Sequence, residues 1–220
     1  MIKCVIFDLD GTLLDTIASI TFYINRIFKD EGIDPITEED TKIFIGNGAR
    51  KLIKRALASR GIDDSLVFER ILERYNREYT QDPYYLTEPY VGILELIRDL
   101  KSDGYSLAVL SNKPEETLLP VVSHFFGDIF DTVRGGRDSA SLKPSPASTL
   151  AILSELGFSP SEMAFVGDSA VDIITAKNAE AALSIGVSWG FRGRGEPEEA
   201  GADRIADTAD EIFDFIKGVK

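Results

Sequence analysis

The chain has 220 residues, of which 44% are hydrophobic and 10% aromatic, and its 24 basic and 37 acidic side chains give a formal charge of −13. This hydrophobic content is enough for a sizeable core and excludes a disordered chain. The strong acidity disfavours binding to nucleic acid or to an anionic membrane through the overall field, so we expect neither among its partners. Since domains commonly run to ~100–200 residues, the length fits one large domain or a core carrying a smaller insert.

The first predicted element is a short buried strand over Cys4–Phe7, which runs directly into charged residues. It lacks the small-residue cleavage site of a signal peptide, and no apolar run approaches the ~18–20 residues that a membrane helix needs. With a single cysteine, Cys4, the chain cannot build an internal disulfide framework, and Cys4 is interpreted as a small core residue. We therefore expect a soluble, cytoplasmic protein.

Residues 16–80 show the periodicity of amphipathic helices and no convincing strand. The two apolar stripes of this segment are Ile17, Ile20, Ile24, Ile27 and Phe28, followed by Val67, Phe68, Ile71, Leu72 and Tyr75. Residues 81–92 contain two prolines and are interpreted as a return linker. The predicted organisation is a core made of residues 1–15 and 81–220, and an all-helical insert over residues 16–80. Hinges between the two are expected at Asp15–Thr16 and Gln81–Pro89.

Three further buried strands are predicted after the insert, over Ser106–Leu110, Ala164–Val166 and Leu183–Val187. Helical periodicity lies between them, a loop is predicted over Gly193–Ala202, and a closing helix is predicted around Ala209–Lys217. Strands that alternate with helices predict an α/β fold with a doubly wound, parallel, Rossmann-like sheet. In such folds ligands bind beyond the carboxyl ends of the strands.

Carboxylates follow two of these strands. Asp8 and Asp10 come directly after the first strand, whereas Asp168 follows the third and Asp172 lies four residues later. Either pair alone could be an acidic turn or a helix cap. If all four converge at one edge of the sheet, they repel one another unless a cation lies among them. Oxygen ligands with room left for water favour Mg²⁺.

Neutral donors and one lysine complete the candidate site. Ser111 and Asn112 end the second strand and are suited to hold phosphate oxygens, although Ser-Asn is also ordinary turn chemistry. Lys143 lies in a Lys-Pro-Ser-Pro segment before a helix, where two prolines restrain the backbone around it. A surface lysine is the ordinary interpretation, but an acidic site needs a compensating cation that can also bind phosphate.

Together these segments resemble, in order and over nearly the whole chain, the four motifs of the haloacid dehalogenase-like hydrolase superfamily. The four segments are Asp8-Leu9-Asp10-Gly11-Thr12, Ser111-Asn112, Lys143-Pro144, and Gly167-Asp168-Ser169 with Asp172. The helical insert resembles the small cap found between the first and second motifs. A phosphoglycolate phosphatase-like subgroup is indicated by Gly46-Asn47-Gly48, Pro89-Tyr90-Val91-Gly92 and Lys143-Pro144-x-Pro146.

The resemblance implies a phosphatase with a small phosphorylated metabolite as its substrate, working as a monomer or homodimer. Asp8 would be the nucleophile that forms an aspartyl-phosphate, and Asp10 would be the general acid and base. Mg²⁺ would be bound by Asp8, by the backbone carbonyl of Asp10, by Asp168 and, directly or through another group, by Asp172. The residues expected to bind substrate are Gly11, Thr12, Ser111, Asn112 and Lys143.

Arg50 is a further candidate, because it belongs to a stretch of the insert between Thr41 and Ile62 that has six basic residues and no acidic ones. It is interpreted either as part of a solvated helix face or as a ligand for a substrate carboxylate such as that of phosphoglycolate. The functional alternatives are a pyrophosphatase, a broad-range sugar or nucleotide phosphatase, a phosphonate hydrolase and a sugar-phosphate mutase. A catalytically silent binding module is a different class, but the complete set of motif residues disfavours it.

Overall fold

The fold is described from a computed structural model, over residues 1–138 and 140–219. The strands are β1 (Cys4–Phe7), β2 (Leu14–Asp15), β3 (Glu88–Pro89), β4 (Ser106–Pro114), β5 (Thr132–Gly136), β6 (Met163–Gly167), β7 (Leu183–Val187) and β8 (Arg204–Ala206). The helices are α1 (Ile17–Asp30), α2 (Glu38–Phe44), α3 (Ala49–Ala58), α4 (Ser65–Gln81), α5 (Ile93–Ser102), α6 (Glu115–Phe126), α7 (Ala147–Leu156), α8 (Ala170–Asn178), α9 (Gly195–Glu199) and α10 (Ala209–Gly218). A single 3₁₀ turn covers Pro160–Glu162.

A parallel sheet in the order β5-β4-β1-β6-β7-β8 forms the centre of the molecule. From β1 the chain builds outward through β4 and β5 on one side and then through β6, β7 and β8 on the other, which is the doubly wound topology predicted from the sequence. The four residues of β1 are fully buried because both faces of the sheet are covered. Val5 and Phe7 pack into one hydrophobic cluster, and Cys4 and Ile6 pack into another on the opposite face. The predicted fold class is confirmed.

Cys4 is a core residue, as its apolar surroundings in the sequence suggest. Its side chain is buried, and burial, followed by the nearby charge of Asp131, raises the pKa of the thiol to about 12. The thiol is therefore protonated and unreactive at neutral pH.

The helices of the insert, α1 to α4, bury a hydrophobic cluster of their own, which is separate from the two that flank the sheet. It contains Ile24 and Phe28 of α1, Ile53 of α3, and Ile71 and Tyr75 of α4. A two-residue antiparallel ladder, β2 with β3, joins the points where the chain leaves and re-enters the sheet. A cluster of this kind is what an independently packed insert needs, and the exact domain bounds stay a prediction.

Edge strands are where the sequence predictions fall short. The predicted strands over Cys4–Phe7 and Leu183–Val187 match β1 and β7, whereas β4 continues four residues beyond the predicted end at Leu110. Strands β5 and β8 were not predicted, because they lie at the two edges and are incompletely buried, so they lack a continuous apolar run. The loop predicted over Gly193–Ala202 is wrong in part, since α9 lies within it.

Among the residues that the structure describes, no helix has both the length and the apolar character required to cross a membrane.

Candidate active site

Three buried carboxylates meet at the carboxyl end of the sheet. Asp8 follows β1, Asp168 follows β6, and Asp172 lies in the first turn of α8. One carboxylate oxygen of each lies within 4.8 Å of the others. Because parallel strands end at the same edge, residues 160 positions apart in the sequence become neighbours. The predicted convergence of these side chains is therefore seen, although the Asp10 carboxylate is not part of this cluster.

Two glycines allow the acidic segments to approach so closely. Gly11 has a φ of +89°, and a Cβ atom there would lie 2.4 Å from Oδ2 of Asp168. A Cβ atom at Gly167 would lie 2.2 Å from the Cβ of Asp172. Any side chain at either position would push the carboxylates apart, so these glycines are required by the geometry of the cluster.

Lys143 is the cation that the cluster needs. Its Nζ lies 2.7 Å from Oδ1 of Asp8 and 2.6 Å from Oδ1 of Asp172, and its side chain is only 3% exposed. The other oxygen of Asp172 accepts hydrogen bonds from the backbone N–H and the hydroxyl of Ser169. Asp172 thus fixes both the lysine and the start of α8, with each of its oxygens already engaged.

Asn112 acts mainly on Lys143. Its Oδ1 accepts the backbone N–H of Lys143 at 2.8 Å, and its Nδ2 donates to the carbonyl of Lys143 at 3.2 Å and to the carbonyl of Gly46 at 3.1 Å. Both amide hydrogens are therefore directed at backbone carbonyls. In this structure Asn112 positions Lys143 and contacts the insert, which differs from the phosphate contact predicted for it.

The electrostatics of the cluster favour a divalent cation. Burial raises the pKa of Asp8 to about 7, with Lys143 opposing this rise and Asp172 adding to it. Burial and the charges of Asp172 and Asp8 raise the pKa of Asp168 well above its usual value. Burial alone would lower the pKa of Lys143, but the two carboxylates beside it raise it. When all three carboxylates are ionised, they and the one ammonium carry a charge of −2, which fits a Mg²⁺ ion.

Two of the predicted substrate-binding residues, Thr12 and Ser111, carry buried hydroxyl groups. The Oγ1 of Thr12 is buried and has no hydrogen-bond partner within residues 1–138 and 140–219. Ser111 is 4% exposed and its Oγ accepts the backbone N–H of Lys113 at 3.2 Å. Since an unsatisfied buried hydroxyl is costly, Thr12 is suited to an oxygen-rich ligand.

Asp10 lies in a separate environment that the sequence did not reveal. Its Oδ1 accepts the hydroxyl of Thr16 at 2.8 Å and the Nζ of Lys113 at 2.9 Å. Lys113 also donates to the hydroxyl of Tyr79 at 2.9 Å. The only signal for Lys113 in the sequence is that it follows Ser111-Asn112, and nothing in the sequence connects Tyr79 with Asp10.

A cavity lies between this edge of the sheet and the insert. The core residues that line it include Asp8, Asp10, Ser111, Asn112, Lys113, Lys143, Asp168, Asp172 and Arg192. The insert contributes Ile20, Ile45, Leu52, Tyr75 and Asn76, which are mainly apolar. A ligand here would have its charged end at the carboxylate cluster and its other end against the insert.

Comparison with known proteins identifies the family. Residues 5–185 match the family model for haloacid dehalogenase-like hydrolases, which is more than half of the chain. The chain belongs to this family.

Proteins of similar sequence over most of the chain include several phosphoglycolate phosphatases. The chain is 34% identical over 221 residues to "Phosphoglycolate phosphatase" of Vibrio vulnificus, covering 98% of this chain and 96% of the relative. It is 35% identical over 195 residues to "Phosphoglycolate phosphatase 1" of Pseudomonas aeruginosa, covering 86% and 71%. The crystal structure of a "predicted phosphoglycolate phosphatase" from Haemophilus somnus superposes with a TM-score of 0.91 at 28% identity, covering 97% of each chain. The chain is thus a phosphatase similar to phosphoglycolate phosphatases.

Arg50 does not reach the cavity of this phosphatase. Its guanidinium pairs with Glu69 and lies 4.8 Å from the centre of the Phe68 ring, with 64% of its side chain exposed. It follows the ordinary interpretation of a solvated helix face, because α3 turns its apolar residues inward.

Arg192 was missed by sequence reasoning, and it lines the cavity in place of Arg50. It follows β7 in the core, and its guanidinium donates to the carbonyls of Ile43 at 3.2 Å and Ile45 at 3.0 Å in the insert. Since these partners lie almost 150 positions earlier in the chain, no local sequence pattern could have indicated the contact.

Proposed function

We propose that this phosphatase hydrolyses a small phosphomonoester, with phosphoglycolate as its preferred substrate, through an aspartyl-phosphate on Asp8. The observation that carries this proposal is the environment of the buried Asp8. The Nζ of Lys143 lies 2.7 Å from its Oδ1, and Asp8, Asp168 and Asp172 form a carboxylate cluster that could hold a metal ion. The choice of phosphoglycolate is supported by the printed names of the relatives, which match along nearly the whole chain.

Asp8 is the nucleophile in this proposal. One of its oxygens is held by Lys143, and the other attacks phosphorus as the ester P–O bond breaks. Thr12, Ser111 and Lys143 bind the phosphoryl oxygens and stabilise the charge that develops on them. Asp10 donates a proton to the departing alkoxide and then takes one from the water that releases phosphate.

A metal ion fits the residues that surround Asp8. Asp8 and Asp168, with the backbone carbonyl of Asp10, would hold Mg²⁺, and Asp172 would act on the ion directly or through another group. When bound, the ion neutralises negative charge between the nucleophile and the phosphoryl group. The backbone N–H of Phe191 donates to Oδ2 of Asp168 at 2.9 Å and thereby fixes the orientation of this carboxylate.

The test of this function is a panel of phosphate compounds ranked by kcat/KM with the purified protein and Mg²⁺. Phosphoglycolate is expected to rank above sugar phosphates, nucleotides and pyrophosphate by at least about tenfold, which corresponds to ~1.4 kcal/mol of transition-state binding. Removal of the metal with EDTA is expected to abolish turnover, and Mg²⁺ is expected to restore it. Pyrophosphate or a nucleotide at the top of the ranking would contradict the proposed substrate.

Arg192 is the residue we propose for the carboxylate of phosphoglycolate, because it lines the cavity and its guanidinium contacts the insert at the carbonyls of Ile43 and Ile45. The change Arg192→Met is expected to raise KM for phosphoglycolate about 10–100-fold, because a charged hydrogen bond is worth ~1.5–3 kcal/mol. For p-nitrophenyl phosphate, which has no carboxylate, the rise should stay within about threefold. Steady-state kinetics with both substrates measure the difference.

Arg50→Met is the matched control for this experiment, because Arg50 is an exposed arginine of the insert that lies outside the cavity. It is expected to leave both KM values unchanged. An equal rise for both substrates in Arg192→Met would mean that Arg192 only holds the insert against the core. A selective effect in Arg50→Met would assign the carboxylate to Arg50 instead.

A further inference from the structure

A second buried lysine, Lys113, lies beside the active site and has no role in the phosphoryl binding proposed above. The side chain of Lys113 is 4% exposed, and its Nζ lies 2.9 Å from Oδ1 and 3.2 Å from Oδ2 of Asp10. Asp10 is 14% exposed, so this ion pair is largely shielded from water. Lys113 therefore compensates Asp10 in the way that Lys143 compensates Asp8 and Asp172.

The contacts of Asp10 are unequal between its two oxygens. Oδ1 accepts both the Thr16 hydroxyl at 2.8 Å and Lys113, whereas Oδ2 has, among the described residues, only the longer contact with Lys113. Two donors on one oxygen fix the rotation of the carboxylate about its side-chain bonds. The less engaged oxygen, Oδ2, is then the one available for proton transfer.

Lys113 is itself held from the insert. The hydroxyl of Tyr79, on α4, accepts from its Nζ at 2.9 Å, and the Tyr79 ring centre lies 4.7 Å from the same nitrogen. Tyr79 is buried and packs against the rings of Tyr75 and Tyr23, with centres 5.3 Å away in each case. The position of the lysine is thereby tied to the packing of the insert.

We propose that Lys113, held by Tyr79, is a positioning residue that orients Asp10 for both proton transfers. This inference rests on the role proposed above for Asp10. In the first transfer, Asp10 in its protonated form gives its proton to the ester oxygen as the P–O bond breaks, and it becomes the carboxylate that pairs with Lys113. In the second, a water proton passes to Asp10 as the water oxygen bonds to phosphorus and the Asp8–phosphate bond breaks. Lys113 takes no proton in either step.

The test compares Lys113→Met, Asp10→Asn and the double variant on two substrates. General acid–base catalysis is worth about 10²–10⁴-fold, so we expect Lys113→Met to lower kcat for phosphoglycolate by about 10–100-fold with KM within about threefold. For p-nitrophenyl phosphate, whose leaving group needs no proton, the rapid first burst of p-nitrophenol should remain while the steady-state rate falls. When Lys113→Met is added to Asp10→Asn, it should lower kcat by less than a further factor of about three. The effects of two residues that act as one unit are not additive.

Two further variants separate positioning from folding. Lys113→Arg keeps the charge and is expected to recover part of kcat, and Tyr79→Phe is expected to reproduce the Lys113→Met pattern with a loss of about 3–10-fold. If Lys113→Met does not fold, Tyr79→Phe carries the same test, since it removes one oxygen atom and leaves the lysine in place. Circular dichroism and thermal unfolding monitor folding in each case.

The proposal would be overturned if the free-energy costs of Lys113→Met and Asp10→Asn, calculated from kcat, were additive in the double variant. It would also be overturned if Lys113→Met lowered the burst rate and the steady-state rate with p-nitrophenyl phosphate equally. Either result would assign Lys113 to substrate binding or to stability. An unchanged kcat in both Lys113→Met and Tyr79→Phe would overturn it as well. Failure of the underlying function is distinguishable, because Asp10→Asn alone would then retain full activity on phosphoglycolate.

Discussion

Replacing Asp8 by asparagine is expected to abolish phosphate release, with kcat reduced by at least about 10⁴-fold. The amide is a far weaker nucleophile than the carboxylate and cannot carry the phosphoryl group as a stable intermediate. It also removes one negative charge from the predicted metal site, beside Asp168 and Asp172. Phosphate release from phosphoglycolate and from p-nitrophenyl phosphate measures the effect. Activity within tenfold of the wild-type protein would exclude Asp8 as the nucleophile.

The stability of Asp8→Asn, compared with that of the wild-type protein, shows whether its loss of activity reflects unfolding. Burial raises the pKa of Asp8 from 3.8 to about 7, so this carboxyl favours the folded state when it is protonated. That contribution is present below about pH 4 and is lost as the pH rises through about 7. Without metal, the wild-type protein is therefore expected to lose stability between these pH values, and Asp8→Asn is expected to lose less. Thermal unfolding from pH 5 to pH 8 in EDTA measures both.

Replacing Lys143 by methionine is expected to lower kcat by about 10³-fold and to destabilise the metal-free protein at pH 8 by about 3–5 kcal/mol. The lysine contacts Asp8 at 2.7 Å and Asp172 at 2.6 Å, and none of the three side chains is more than 10% exposed. Methionine has a similar length but leaves these buried carboxylates without a cation. Added Mg²⁺ should recover part of the stability, because the ion neutralises the same charges, but it should not recover kcat.

Lys101→Met is the matched control for Lys143→Met. Lys101 also pairs with an aspartate, Asp131, at 2.6 Å, but its side chain is 35% exposed and lies on the surface. Exposed pairs contribute about 0–1 kcal/mol, so this variant should retain full activity and nearly full stability. Denaturant unfolding compares the two variants. Equal destabilisation would mean that the buried position of Lys143 has no energetic consequence.

Strand prediction from the sequence succeeded where both faces of a strand are covered. The residues of β1 and β7 are buried throughout, and both segments are rich in apolar residues: β1 is a continuous apolar run, and β7 has Leu183, Ile185 and Val187 at alternate positions. The short edge strands β5 and β8 have partly exposed residues and therefore lack this signal. The continuation of β4 beyond Leu110 also escaped prediction, because the register with β5 shifts there and the residues that follow are polar.

The order of the motifs along the chain was sufficient to indicate the family and the chemistry. Four carboxylates, those of Asp8, Asp10, Asp168 and Asp172, were expected to meet because the topology of a parallel sheet brings strand ends together whatever their separation in sequence. Three of them do so, and Asp10 lies outside the cluster. Lys143 was expected beside them because a buried carboxylate cluster requires a cation. These inferences depend on local pattern and general electrostatics.

Only the tertiary structure decided which other cations reach the site. Arg50 and Arg192 have the same side chain, but the packing of α3 directs Arg50 to Glu69, whereas the loop after β7 directs Arg192 to the cavity. Lys113 contacts Asp10 and Tyr79, which lie on opposite sides of the boundary between sheet and insert. The direction in which a long charged side chain points depends on partners distant in the sequence, and neither periodicity nor composition contains that information.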